Sequence, residues 1–221
     1  MIHLVLARHG ESVWHTDNRY AGSSDIALTP RGYRDAEILA QWAKSVQLDA
    51  LWTSPLSRTL ETAAAVTRTT GLHPHIDARL REIDFGQGEG HTKTEMQQLF
   101  PESLTAFQND PVNHHLPDGE DPREAVARAR ACFSDIEQIY PNGKVLVIAH
   151  NTLIRLALCS LLGIPLERYR SVFPSLRNCT LTEVRLEGDE VGLLSFNAPI
   201  PLQDSLSTPA SPQTDKAETR P

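Results

Sequence analysis

Short apolar strands alternate with amphipathic helices along most of this chain, and that alternation most narrows the folds open to it. A strand covered on both faces reads as nearly continuous apolar sequence, and the helix that follows shows a 3.6-residue apolar period. Residues 2–8 (IHLVLAR), 50–53 (ALWT) and 144–149 (KVLVIA) have the first character. Thr29-Pro30 supplies a cap and a proline at the first helical position, with Ala36, Leu39, Ala40, Ala43 and Val46 on one face behind it. Ser54-Pro55 repeats the signal and predicts a helix through Thr67; Asp121-Pro122 predicts another, and residues 152–162 a fourth. His75 to Leu80 is a further candidate strand, and residues 82–119 read as loops with one short helix. Residues 180–186 and 191–196 form a closing strand pair across Gly188-Asp189. The pattern predicts an α/β fold, a three-layer α/β/α sandwich with a mostly parallel central sheet.

The 221 residues, 40% of them hydrophobic, suffice for one sizeable core. Composition changes at Pro199, where the chain becomes proline-rich and polar. Residues 1–198 are therefore expected to form one catalytic domain, and 199–221 a flexible Pro/Ser/Thr-rich tail. A net charge of -7 argues against nucleic acid or an anionic membrane as partner, since both select clustered Lys and Arg. The apolar run from Leu153 to Ile164 is interrupted by Arg155 and falls short of the roughly 20 residues of a membrane span. Cys132, Cys159 and Cys179 are odd in number and lack CxxC spacing, so they read as buried small hydrophobes. With an N-terminus unlike a secretory signal, they predict a cytoplasmic protein.

Three polar clusters fall at predicted strand ends, where open α/β sheets bind ligands. Arg8-His9-Gly10 follows the first strand, Ser57-Arg58 opens the helix after residues 50–53, and His150-Asn151 follows residues 144–149. Two arginines and two histidines beside helix N-termini would make a positive pocket suited to a phosphate dianion. Phosphoryl transfer mainly requires positioning and charge neutralisation, which such a set supplies without metal or cofactor. His9 can act as nucleophile if a backbone carbonyl holds a proton on one ring nitrogen and frees the other. The proton donor must be a carboxyl group. Glu82, in residues 80–86 (LREIDFG), is a candidate, and spacing alone does not choose it over Asp84 or Glu89.

Arg8-His9-Gly10-Glu11-Ser12 resembles the signature of the histidine phosphatase superfamily, also called the phosphoglycerate-mutase-like family. Asn18-Arg19, Gly22, Asp25, Leu28-Thr29 and Gly32 look like the segment after its nucleophile. Residues 54–63 (SPLSRTLETA) resemble its second arginine motif, Glu82 with Phe85-Gly86 and Glu89-Gly90 its acid motif, and Val147-Ile148-Ala149-His150 its second histidine motif. Four motifs in the family's order cover residues 2 to 198. The resemblance implies that His9 is phosphorylated, that Arg8, Arg58 and His150 hold the phosphoryl group, and that Glu82 protonates the leaving oxygen. It implies substrate contacts from Gly10, His15, Gly22, Ser23, Asn151 and Lys93. Two positions depart from the pattern: His15 stands where Asn is usual, and Asn151 where Gly commonly follows the second histidine.

The implied activity is that of a metal-independent phosphatase acting on a small phosphate ester. A phosphoglycerate mutase is the first alternative. It is disfavoured by the short segment between Glu82 and His150, which lacks an arginine-bearing insertion, and by Ala21 in place of a threonine; Lys93 counts in its favour because it resembles a mutase lysine. A non-catalytic phosphate-binding module is the second alternative. His73, His75, His114 and His115 lack ligand-spaced Cys or carboxylate partners and read as surface histidines, although His114 and His115 could join Lys93 as rim contacts. Trp14, Trp42 and Trp52 read as core or pocket-wall residues.

Overall fold

The computed structural model describes residues 1–188 and 190–200. Its sheet comprises β1 (Ile2–Arg8), β2 (Ala50–Thr53), β3 (Pro74–Ile76), β4 (Lys144–Ala149), β5 (Leu181–Glu187) and β6 (Glu190–Ala198), in the order β3-β2-β4-β1-β5-β6. The β2–β3, β2–β4 and β1–β4 pairs are parallel, while β5 is antiparallel to both β1 and β6. Among the described residues seven helices accompany the sheet: α1 (Pro30–Ser45), α2 (Ser57–Thr70), α3 (Lys93–Leu99), α4 (Pro101–Asn109), α5 (Pro122–Ile139), α6 (Asn151–Leu161) and α7 (Tyr169–Val172).

Side chains alternate across a strand, so β1 serves both faces of the sheet. Ile2, Leu4 and Leu6 join the core that includes Ala129, Phe133 and Ile136 of α5. Val5 and Ala7 join the opposite core, with Leu39 and Ala40 of α1 and Ala63 and Val66 of α2. The expected three layers are therefore present. The register then levels the carboxyl ends of these strands: Arg8 pairs with Ala149, and Thr53 with Ile148. His9, Ser54 and His150 consequently leave the sheet side by side.

Local expectations were met unevenly. Thr29 caps α1 by accepting from the Gly32 N–H at 3.0 Å, and Asp121 caps α5 by accepting from Arg123 at 2.8 Å. Ser54-Pro55 does not open α2 directly: Leu56 is the residue before the first turn, and the helix runs to Thr70, where Gly71 ends it at φ 79°. The strand expected over residues 75–80 is only Pro74–Ile76, because Asp77 accepts from Arg79 N–H and turns the chain into a 3-10 turn, Ala78–Leu80. The segment 82–119 holds two helices rather than one. Thr92 and Glu95 form a capping box that starts α3, and Pro101 starts α4; Met96, Leu104 and Phe107 close a third small core with Leu116. All three cysteines are buried and unpaired. Among the described residues no helix is long and apolar enough to cross a membrane. The tail expected beyond Pro199 falls, from residue 201 onward, outside the described residues.

Candidate active site

His9 follows β1 directly, its side chain almost wholly buried. Its Nδ1–H donates to the carbonyl of Gly10 at 2.6 Å, which leaves Nε2 as the unprotonated ring nitrogen. Burial, reinforced by the charges of Arg8 and Arg58, holds its pKa well below 6.5. The imidazole is therefore neutral, the form in which a ring nitrogen has a lone pair to donate. The backbone is clamped from behind: Asn178 Nδ2 donates to the His9 carbonyl at 2.7 Å, and Cys179 N–H donates to the Arg8 carbonyl at 2.9 Å.

Arg8 donates from Nη1 to the Leu176 carbonyl at 2.8 Å and from Nη2 to His15 Nε2. Burial lowers its pKa to about 10, still cationic at neutral pH. Arg58 lies in the first turn of α2 with no exposed surface. Its Nη1 and Nη2 donate to the carbonyls of Ser24 and Gly22 at 2.8 and 2.7 Å. Glu89 shapes that loop by accepting from the backbone N–H groups of Ser23, Ser24 and Phe85. His150 is fully buried, with Nε2 2.8 Å from the Ser54 hydroxyl and its ring 5.2 Å from that of His9. Burial first, then Arg58 and His9, depress its pKa well below 6.5. The two histidines are thus neutral, and the positive potential expected from all four residues comes from the arginines alone.

Arg8 Nε, Arg58 Nε and His150 Nδ1 are buried without a hydrogen-bond partner. Native proteins leave few such atoms orphaned. Three of them belong to residues grouped around His9, which is the donor set an oxyanion would satisfy.

Glu82 is buried, and its carboxylate caps the start of α6. Oε2 accepts from Thr152 N–H at 2.9 Å; Oε1 accepts from Leu153 N–H at 2.8 Å and Ile83 N–H at 3.0 Å. Of the three candidate acids it alone lines the pocket. Asp84 instead accepts from Gly86 N–H at 2.7 Å, and Glu89 is occupied by the 22–24 loop.

The pocket encloses about 400 Å³. Arg8, His9, His15, Glu82, Lys93 and Asn151 line it as the sequence suggested. Arg58 and His150, both fully buried, are not among its lining residues. Gly10, Gly22 and Ser23 do not line it. Gly10 is a packing glycine, since a Cβ there would stand 2.4 Å from the Gly32 carbonyl oxygen, while Gly22 and Ser23 serve the Arg58 and Glu89 contacts. His15 reaches the pocket but commits Nε2 to Arg8, and burial lowers its pKa to about 4. His114 and His115 are exposed and away from the pocket; His75 stacks on Trp52. Trp14 is a pocket wall. Among the described residues no group of three His, Cys, Asp or Glu side chains is arranged to hold a metal.

Sequence reasoning missed Arg155, Tyr169 and Arg170 in the pocket wall, and Leu176 and Asn178 behind it. The Arg155 interruption of an apolar helix was the one available signal, because a cation on a buried face calls for a partner or a ligand.

These features gather a neutral buried histidine, two arginines and a buried carboxylate at the strand ends of an α/β fold, and comparison with known proteins identifies the family. Residues 4–199 match the model of the histidine phosphatase superfamily (branch 1). The chain is 37% identical over 178 residues to a probable 2-carboxy-D-arabinitol-1-phosphatase of Arabidopsis thaliana, covering 80% of this chain and 36% of that protein, so it spans about a third of that relative's length. It is 31% identical to phosphoserine phosphatase 1 of Hydrogenobacter thermophilus, covering 77% of this chain and 81% of the relative. It is 33% identical to a probable phosphoglycerate mutase GpmB of Yersinia enterocolitica, covering 83% and 85%. Among solved structures, YhfR of Bacillus stearothermophilus superposes with a TM-score of 0.85 at 28% identity, covering 90% of this chain and 98% of that one. The chain belongs to the histidine phosphatase superfamily, branch 1, and its relatives include enzymes named as phosphatases.

Proposed function

We propose that residues 1–198 form a catalytic domain that hydrolyses a small phosphorylated metabolite through a phosphohistidine at His9. The carrying observation is the trio of unpartnered buried nitrogens on Arg8, Arg58 and His150 around a neutral His9 whose Nδ1 is pinned to a carbonyl. In the first half-reaction His9 Nε2 attacks phosphorus and the ester P–O bond breaks. The leaving oxygen takes its proton from Glu82, while Arg8, Arg58 and His150 Nδ1–H hold the equatorial oxygens. In the second, the Glu82 carboxylate accepts a proton from water, whose oxygen attacks phosphorus. The P–N bond breaks, inorganic phosphate leaves, and His9 and protonated Glu82 are regenerated. No step calls for a metal or cofactor, because the arginines neutralise the transferring group. The cytoplasm is the compartment we infer, from three unpaired cysteines.

Phosphate release from 4-nitrophenyl phosphate and a metabolite panel, with EDTA present, tests this reading. Release by the wild type and its loss in His9→Ala are expected, with acid-labile phosphate trapped on His9. No release by the wild type overturns the hydrolase, and release unaffected by His9→Ala overturns the nucleophile. Lys93 in the pocket and the GpmB relative favour mutase chemistry as the second reading. Interconversion of 2- and 3-phosphoglycerate faster than phosphate release would select it.

A further inference from the structure

Arg155 is a buried cation that the proposed phosphoryl chemistry leaves unused. It lies on α6 one turn beyond Asn151, and residues four apart share a helix face; both line the pocket. The residue is 7% exposed. Its Nε donates to the Phe173 carbonyl at 2.6 Å, and its guanidinium sits 4.9 Å above the Tyr169 ring. These two contacts fix the plane of the fork but occupy only one of its nitrogens. Among the described residues, Nη1 and Nη2 make no hydrogen bond to protein, and no carboxylate pairs with the group. Neighbouring Arg170 differs, since its Nε and Nη1 are spent on the Tyr169 hydroxyl and the carbonyls of Phe107 and Gln108.

Charge points the same way. The pocket wall carries Arg8, Arg19, Lys93, Arg155 and Arg170 against a single acid, Glu82. Arg19 is paired with Glu95 at 2.7 Å, and Glu82 is taken up by the N–H groups of α6. A phosphate dianion balances Arg8 and Arg58. Among the described residues Lys93, Arg155 and Arg170 have no carboxylate partner, and of the three only Arg155 is buried, where desolvation penalises a guanidinium without a counter-ion.

We propose that Arg155 determines specificity by binding a carboxylate on the substrate, so that the preferred ester carries both a phosphate and a carboxylate. A planar carboxylate accepts two parallel bonds from Nη1 and Nη2, the geometry a fixed fork selects. Asn151, on the same face, presents an Oδ1 without a protein partner, an acceptor for a hydroxyl or amine between the two anionic ends.

The inference rests on the phosphatase reading above, and matched ester pairs separate the two. Phosphate release is measured for 3-phosphoglycerate against glycerol 3-phosphate, and for O-phosphoserine against O-phosphoethanolamine, in wild type, Arg155→Met and Arg155→Lys. A hydrogen-bonded charge is worth a tenfold or greater preference. The wild-type ratio of kcat/KM is expected to favour the carboxylated member of at least one pair by about tenfold or more. Arg155→Met should bring that ratio close to one, and Arg155→Lys, which keeps charge but not the fork, should restore part of it. Each ratio is taken within one enzyme, so a general loss of folded protein cancels. Wild-type ratios near one in both pairs, or a preference that survives Arg155→Met, overturn the role of Arg155. No release from these esters or from 4-nitrophenyl phosphate would instead sink the phosphatase reading itself.

Discussion

Glu82 Oε1 accepts the Leu153 N–H at 2.8 Å, so the carboxylate is anchored to the first turn of α6, the helix that His150 introduces. The anchor places the carboxylate in the pocket that His9 also lines and limits its motion during the reaction. Glu82→Gln keeps the size of the side chain but removes its ability to exchange a proton. We expect the loss to depend on the leaving group. General acid assistance contributes about 10²- to 10⁴-fold, and an alkyl phosphate should lose most of that. 4-Nitrophenyl phosphate, whose leaving oxygen needs little help, should lose far less. Equal losses on the two substrates, measured as kcat/KM, would remove Glu82 from the proton-donor role.

Glycines 10 and 32 meet where the loop after β1 crosses the start of α1. A Cβ on Gly10 would stand 2.4 Å from the Gly32 carbonyl oxygen, and one on Gly32 would stand 2.1 Å from that of Glu11. Both clashes are with backbone, which cannot rotate aside. Gly10→Ala should therefore cost roughly 1–3 kcal/mol, the usual range for overpacking, and displace the carbonyl that holds His9 Nδ1. Urea unfolding reads the first effect and kcat on 4-nitrophenyl phosphate the second. A variant as stable and active as wild type would show that the loop yields.

The strand ends were legible because β1, β2 and β4 are short apolar runs that stop at conspicuous polar residues, and parallel pairing levels their carboxyl ends. Arg8, His9, Arg58 and His150 follow from that pattern. What a residue's neighbours do with it was less legible. Gly22 and Ser23 sit in a motif beside the site, yet their polar atoms turn toward Arg58 and Glu89, and nothing in local spacing says which way a loop faces. Arg155, Tyr169 and Phe173 meet through the packing of α6 against α7, a tertiary contact with no periodic trace. The brevity of β3 has a similar cause, because the Asp77 side chain competes for the backbone N–H of Arg79.

Glu89 is a positioning residue for Arg58. Its oxygens accept from Ser23 and Ser24 N–H at 2.6 and 2.7 Å, and the carbonyls of Gly22 and Ser24 in that loop receive the Arg58 guanidinium. Glu89→Gln retains one acceptor oxygen and sets an amide against N–H donors. The expected cost is about 1–3 kcal/mol in urea unfolding. A rise in KM for phosphate esters larger than any fall in kcat should accompany it, since a loosened Arg58 weakens binding of the phosphate. Wild-type KM in a destabilised variant would confine Glu89 to stability.

The buried histidines give the protein an acid-sensitive term whose sign is set by desolvation. An unfolded histidine takes up a proton near pH 6.5, whereas His15 in the folded protein does so only at about 4, because burial and then Arg8 oppose its charge. Between those values the unfolded state binds more protons, so stability falls as pH drops below about 6.5 and the loss from His15 is complete below about 4. His9 and His150, depressed by burial and by the same arginines, lose stability in the same direction. His15→Asn deletes one of the three titrations while leaving a side chain that can accept from Arg8. The urea midpoint should therefore fall less between pH 7.5 and 4.5 in His15→Asn than in wild type, whatever the absolute stability of the variant. An identical fall in the two proteins would show that His15 is protonated in the folded state, and that its contact with Arg8 is not the one described.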